Sequence, residues 1–404
     1  MTVKKLRIVH IINSFEYGGA ESMLCNLLLR MDTDRFEPFV VSLTDDLTVA
    51  GPILDRGIPL ATMKMRPGVP DPRGVIRLAW HLRRVRPDVI QTWMDHSNLI
   101  GGLAARICRG ARIVWGVHHC DHVAGLTKRT TLLTVASCAK LSRVLPDRIV
   151  LCSEHGRTLY GQRGFDDARM MVIPNGFDTK RFRPNEAARR RIREEHDLEP
   201  HTPVIGLVAR YDPLKDHENF VRAAAMLLGM RPKVRFLMCG TNVDRHNEQL
   251  MRLIDSLGIG NACRLLGPRR DVADVYAGLD LLTSSSVSEA FPLALGEAMS
   301  CGIPCVATDV GDSRLIVGEA GRIVPPRNPQ ALASAWRELF DLSSVMRHCM
   351  GVEARRRIVE MFDLDAVTRR YEQLYLELHA RPEKQFYADA RRTAKMPMRA
   401  GGQL

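Results

Sequence analysis

Two glutamates, Glu289 and Glu297, stand eight positions apart in "SEAFPLALGEAMSCGIP", residues 288–304, with an almost wholly apolar run between them. Carboxylates accept hydrogen bonds from sugar and ribose hydroxyls. The preceding "LDLLTSS" reads as a strand, and "LALGEAMSC" reads as a helix stopped by Gly302 and Pro304. Glu289 then lies on the loop at a strand's carboxyl end, and Glu297 lies near the first turns of the helix. The backbone N–H groups at that helix start suit an anion. Either glutamate alone is equally a helix cap or a surface acid.

Other residues gather at similar places. Arg210 and Lys215 fall in "VARYDPLKDHENF", just past a strand. An Arg fork and a mobile Lys charge at a strand's carboxyl end suit a diphosphate. Alternatively they form a solvated basic loop, with Asp212 and Asp216 as partners. Gly18 and Gly19 separate the first strand from the first helix. Adjacent glycines let a backbone approach a ligand, or simply make a tight turn. "WGVHHCDHV", residues 115–123, looks like a metal cluster, but no second ligand pair stands at zinc spacing. A single histidine, His118 or His119, hydrogen-bonding at the cleft is the better reading, and no metal is expected.

These residues need strands to end together. "LRIVHII" (6–12), "FEPFVVSL" (36–43), "PDVIQTW" (87–93), "ARIVWGVHH" (111–119), "DRIVLCSE" and "MMVIPN" read as strands alternating with helices. The alternation restarts at "PVIGLVAR" (203–210), "VRFLMCG" (234–240), "ACRLLG" (262–267), "LDLLTSS" (279–285) and "IPCVATD" (303–309). Strands apolar throughout are covered on both faces, so each half is a doubly wound parallel sheet. Ligands bind beyond the carboxyl ends of such strands. The default site is therefore a cleft between the halves, whose boundary crosses roughly residues 176–200. The spans are 1–180, 181–358, a helical segment at 359–380, and a basic tail at 381–404 that lacks an apolar period and reads as disordered.

The chain has 404 residues, 45% hydrophobic and 26% charged, which supports two cores. Its net charge is +12, with an isoelectric point near 9.4. That favours an anionic partner: nucleic acid, anionic lipid or a phosphorylated substrate. A basic stripe interleaved with aromatics is missing, so nucleic acid is not expected. Ten cysteines without CxxC spacing read as reduced thiols. No window reaches about 18 uninterrupted apolar residues, and no cleavable leader is evident. A cytoplasmic protein is expected. The helix "RGVIRLAWHLRRVRPD" (73–88) carries Arg77, Arg83, Arg84, Arg86 and Trp80. It suits an anionic inner-membrane surface or a solvated face equally.

"SEAFPLALGEAMSCGIPCVATDVG" resembles the signature of the family-4 retaining glycosyltransferases of group 1, which have the GT-B fold. "YGGAESMLCNL", "VIPNGFDTKRF" and "GLVARYDPLKDHENFVRAA" resemble further family blocks in the family's order, from about residue 5 to 380. The resemblance implies an α/β GT-B fold, two Rossmann-like domains facing a central cleft, with the last helix packing back on the first domain. It also implies roles. Gly18 and Gly19 contact the donor diphosphate from one domain, and Arg210 and Lys215 bind it from the other. Glu297 holds the ribose hydroxyls, and Glu289 binds the sugar and orients the donor. His118 contacts the sugar near the reacting carbon, and the backbone around Leu266 touches the nucleobase. The loop Ala290-Phe291-Pro292 departs from the family's Gly-Phe-Gly. Pro292 has no N–H, so Leu293 or Ala294 must supply that contact beside Phe291. In "QTWMDH", Trp93 replaces the family's second histidine, which unsettles the acceptor side.

The implied reaction moves a sugar from a nucleoside-diphosphate sugar to a glycan or lipid-linked hydroxyl, in polysaccharide biosynthesis, with retention and without a cofactor. Front-face attack is implied, the leaving phosphate taking the acceptor's proton. A nucleotide-sugar epimerase on the same fold would invert a sugar with donor alone present. A non-catalytic anion or nucleic-acid binder would show a salt-dependent shift on single strands, and a dead membrane scaffold would lack the donor positions.

Overall fold

The computed structural model describes residues 4–16, 18–66, 71–108, 110–119 and 127–380. The basic tail read as disordered, and Cys120 to Val123 of the histidine-rich stretch, lie outside them.

Seven strands form the first sheet: β1 (Leu6–Ile12), β2 (Phe36–Ser42), β3 (Leu60–Thr62), β4 (Val89–Trp93), β5 (Arg112–Val117), β6 (Arg148–Leu151) and β7 (Met170–Val172). Their spatial order is β3-β2-β1-β4-β5-β6-β7, all parallel. The second sheet holds β8 (Val204–Val208), β9 (Arg235–Cys239), β10 (Cys263–Leu265), β11 (Leu281–Ser284), β12 (Cys305–Thr308) and β13 (Gly321–Val324). It runs β10-β9-β8-β11-β12-β13, again parallel. The strand order reverses between β1 and β4 in one sheet and between β8 and β11 in the other. Crevices open at such reversals beyond the strands' carboxyl ends. The glycine pair follows β1, the cationic loop follows β8 and the first glutamate follows β11.

The strands are apolar because helices cover both faces. In the first sheet, the Gly19–Arg30 helix and the C-terminal Leu364–Ala380 helix lie on one face, burying Leu24, Leu28, Tyr371 and Tyr375. Helices Pro72–Val85, Asp95–Cys108 and Arg129–Leu141 bury Leu78, Leu82, Ala105 and Val135 on the other. The chain crosses between domains twice. Phe177 N–H donates to Phe362 O at 2.9 Å, and Leu364 N–H donates to Phe177 O at 3.0 Å. The last helix packs into the core of the first domain through Val367, Tyr371, Leu374 and Tyr375.

Two strands differ from the sequence reading. β3 and β13, three and four residues long at sheet edges, are not among the strands read from the sequence. The basic helix ends at Val85 rather than residue 88, because Arg86 is left-handed (φ 53°) and its N–H closes on Leu82 O.

Candidate active site

The cleft between the domains has a volume of about 600 Å³, within the range of small-ligand sites. Its walls include Gly18, Gly19, His118, Arg210, Lys215, Glu289, Phe291, Leu293 and Glu297.

Lys215 is positioned by its own short sequence, "DPLKD". The Asp212 carboxylate accepts from Leu214 N–H at 2.9 Å, capping the 3-10 turn Pro213–Lys215. Asp216, left-handed at φ 48°, caps the next helix through Asn219 N–H at 3.1 Å. Ser285 Oγ donates to Lys215 O at 2.8 Å, tying this turn to the end of β11. The lysine ammonium pairs with Glu289 Oε1, which also accepts from Ser286 Oγ at 2.7 Å. Glu289 is in turn seated by Gly311. That residue has φ 54°, and a Cβ on it would lie 2.2 Å from Glu289 O. Only glycine fits both demands. Arg210 is half exposed and paired with Asp212 Oδ2 at 3.2 Å. Of the two aspartates, then, Asp212 pairs with a cation and Asp216 is used as a cap.

Glu297 lies in the helix Leu293–Ser300, whose N-cap Pro292 provides no side-chain cap. Its Oε2 accepts from Tyr276 O–H at 2.8 Å. Burial raises its pKa to about 7, against the Tyr276 bond and the Arg181 charge, which lower it. The group is therefore poised to ionise near neutrality. Tyr276 is also pushed up, by burial first and then by Glu297.

On the opposite wall, Gly18 is extended and caps the Gly19–Arg30 helix without a side chain. A Cβ on Gly18 would lie 2.2 Å from Glu21 Oε2, so the Glu21 carboxylate rests on this turn. Burial raises its pKa. A Cβ on Gly19 would meet Leu293 Cδ1 at 3.4 Å, which marks the domains' close approach.

His118 follows β5 with its ring stacked on Trp93, centroids 4.7 Å apart and planes 20° apart. Burial lowers its pKa to about 4, with the adjacent Asn175 amide opposing weakly. The imidazole is neutral at physiological pH. Trp93 is fully buried and donates from Nε1 to His10 Nδ1 at 3.2 Å. It therefore backs His118 instead of meeting an acceptor. Phe291 stacks on Phe177 and meets Phe362 edge-on, centroids 5.9 and 5.5 Å away, so its side chain belongs largely to the core. Leu266 donates its N–H to Met238 O at 2.9 Å, while Pro268 and Arg269 line the cleft in front of it. Among the described residues no group of three or more potential metal ligands occurs.

Residues 17–181 match the model of Glycosyltransferase Family 4, and residues 202–341 match that of Glycosyl transferases group 1. The chain belongs to the family-4, group 1 glycosyltransferases. It is 33% identical over 217 residues to D-inositol 3-phosphate glycosyltransferase of Corynebacterium jeikeium, covering 51% of each chain. It is 23% identical over 332 residues to the putative glycosyltransferase EpsF of Bacillus subtilis, covering 76% of this chain and 80% of that one. The chain spans about half the length of the inositol-phosphate relatives it matches. Among solved structures, Anabaena HepE in complex with UDP superposes with a TM-score of 0.80 at 21% identity, over 92% of this chain and all of that one. Sucrose-phosphate synthase from Thermosynechococcus elongatus gives 0.77 at 19% identity, over 93% and 99%. The architecture is the GT-B fold.

This family-4 chain brings every anticipated site residue except Leu266 onto the cleft wall. Other lining residues escaped the sequence reading: Glu16, Glu21, Asn175, Thr241, Tyr276 and Ser286. Asn175 ends the "MMVIPN" stretch read as a strand. Tyr276 and Ser286 gave no local signal, because their role depends on side chains that only the fold brings beside them.

Proposed function

We propose that this chain is a glycosyltransferase that moves a sugar from a nucleoside-diphosphate sugar to a hydroxyl of a glycan or lipid-linked acceptor, with retention of configuration. The observation that carries the reading is the Lys215 ammonium, held by a doubly capped turn at the cleft and paired with Glu289. Nearby lie Arg210 and a helix start without a side-chain cap. As the glycosidic bond breaks, negative charge grows on the diphosphate. Preorganised cations and amides stabilise that charge without reorganisation. Lys215 would turn from Glu289 toward the diphosphate, which frees the Glu289 carboxylate for sugar hydroxyls. Glu297, ionised with its pKa near 7, would accept from ribose hydroxyls. The leaving phosphate would take the acceptor's proton, because burial holds the His118 pKa down to about 4 and makes it a weak base, and Lys215 and Glu289 are committed to charge and orientation. This reading assigns no step to a metal. HepE was solved with UDP and with UDP-glucose, which supports a uridine donor as the first to test.

A lipid-linked acceptor is supported by the outer face of helices Pro72–Val85, Asp95–Cys108 and Arg129–Leu141. Ile76, Trp80, Ile107 and Leu133 are exposed there, Trp80 at 63%. Basic residues including Arg83 and Lys140 stand among them, and no exposed carboxylate occurs on the three helices. Such a face suits an anionic bilayer. Among the described residues no helix is long and apolar enough to cross one.

The test is a thermal-shift and calorimetric screen against UDP-, GDP- and ADP-sugars. One donor should raise the melting temperature by mass action, and Lys215→Ala should abolish turnover of that donor while the chain stays folded. If no sugar nucleotide shifts the wild-type chain, the reading fails.

A further inference from the structure

At the end of β4 the cross-strand partner of Trp93 is Gly116. A glycine there leaves space on the sheet, and His118, two residues on, shares its side. The His118 imidazole lines the cleft and stacks on the indole, centroids 4.7 Å apart. The indole is itself held. Its Nε1–H donates to His10 Nδ1 at 3.2 Å, and burial keeps His10 neutral, with its pKa lowered to about 3, so that this nitrogen can accept. Tyr371 of the C-terminal helix also stacks on the indole, centroids 6.1 Å apart and planes 25° apart. Trp93 and Tyr371 are 0% and 1% exposed, so neither reaches a ligand. The Tyr371 hydroxyl has no hydrogen-bond partner among the described residues. An unpaired buried hydroxyl costs stability, so what this position supplies is the ring. Interiors are packed as densely as crystals, and rings stacked in series hold one another in a single orientation.

We propose that Tyr371 is a positioning residue of the active site: through the ring series Tyr371–Trp93–His118, the C-terminal helix fixes the imidazole that faces the sugar. The inference rests on the glycosyltransferase reading and adds to it an element that lies wholly outside the cleft. Without the Tyr371 ring the indole settles into the vacated volume, and the imidazole loses its support. A displacement of about 1 Å in a group that meets substrate can cost about a hundredfold in rate. The diphosphate, on the same reading, is gripped from the other domain by Arg210 and Lys215, and its binding does not depend on these rings.

The full chain and its Tyr371→Leu, Tyr371→Met and Tyr371→Phe variants would be compared, the methionine serving if the leucine variant does not fold. Diphosphate release from UDP-glucose, GDP-mannose and ADP-glucose would be followed at saturating donor, and donor affinity measured by calorimetry. Histidine ring protons would be recorded by NMR, with His118 assigned as the resonance lost in His118→Gln. Expected is release at least fivefold slower in Tyr371→Leu and Tyr371→Met, with donor affinity within twofold of wild type. Tyr371→Phe keeps the ring and should keep the wild-type rate. The His118 resonance, set by the ring current of Trp93, should move in the first two variants and stay in place in Tyr371→Phe. Wild-type release in the variants without the ring, or an unmoved His118 resonance, would overturn the proposal. So would an equal slowing in Tyr371→Phe, which would place the effect on the hydroxyl, or a matching loss of donor affinity, which would mark a residue that only holds the fold. A wild-type chain that turns over no nucleotide sugar of the panel would instead bring down the glycosyltransferase reading, and the role assigned here with it, even with the resonances moving as expected.

Discussion

A carboxyl group among apolar side chains resists ionising, and Glu297 is held near pKa 7 chiefly for that reason, against an ordinary value of 4.5. The consequence for stability has a definite sign. Between those two values the folded chain keeps a proton that the unfolded chain releases, so stability falls as pH rises through the window. Above pH 7 the penalty is fully present. Glu297→Gln removes the charge and keeps an oxygen for Tyr276 O–H. It should therefore be more stable than wild type at pH 8, by roughly 1–3 kcal/mol, and indistinguishable at pH 4. Urea denaturation at both values checks this; a variant less stable at pH 8 would contradict the account. The same substitution should lose donor binding, because a neutral amide is a weaker partner for two ribose hydroxyls than a carboxylate. The type and spacing of Glu297 were legible in the sequence. Its pKa was not, since that is set by Tyr276 and by packing from several elements.

The helix Leu293–Ser300 shows what a short element must do to carry a site. It buries Leu295, Ala298 and Met299 while leaving Glu297 at the cleft. Its closest approach is at Gly296, where a Cβ would lie 2.1 Å from Phe177 Cζ. Phe177 cannot yield easily, being packed by Phe291 and Phe362. For Gly296→Ala, the helix-propensity gain of about 1 kcal/mol competes with overpacking of about 1–3 kcal/mol or more. Rigid aromatic neighbours favour the second. The variant should melt several degrees lower and bind donor more weakly, because Glu297 is the next residue. A higher melting temperature would show that the aromatic cluster has room. The sequence marked this helix clearly, through its apolar run and its Gly-Ile-Pro stop. It marked the long strands through unbroken apolar runs. β3 and β13 gave no unbroken apolar run, since β3 ends in Thr62 and β13 opens with Gly321 and Arg322.

Coupling between the two domains is visible only in the whole molecule. The Asp312 carboxylate, from the second domain, accepts from Glu154 N–H at 2.9 Å and His155 N–H at 3.0 Å at the start of a first-domain helix. Asp312 N–H donates to Ala290 O at 3.1 Å, and the neighbouring Gly311 packs on the Glu289 carbonyl. Asp312 thus links the two, its carboxylate reaching the facing domain and its backbone N–H the donor-side loop. Hydrogen bonds to a charged group contribute about 1.5–3 kcal/mol each, enough to bias a closure equilibrium several-fold even after water replaces them. Asp312→Ala should leave both cores intact, since it faces the gap between them rather than either sheet. It should widen the molecule in small-angle scattering and raise the donor KM about three- to tenfold. Asp312→Asn, which keeps an acceptor oxygen, should fall between. If scattering and KM were unchanged in Asp312→Ala, the second crossing and the C-terminal helix alone would set the domain arrangement. Those contacts are extensive: the last helix buries Val367, Tyr371, Leu374 and Tyr375 in the first core, and Arg30 pairs with Asp178 and Asp365 at the crossing. They fix where the domains meet. The Asp312 contact with Glu154 and His155 is separate from them and adds to the hold between the domains.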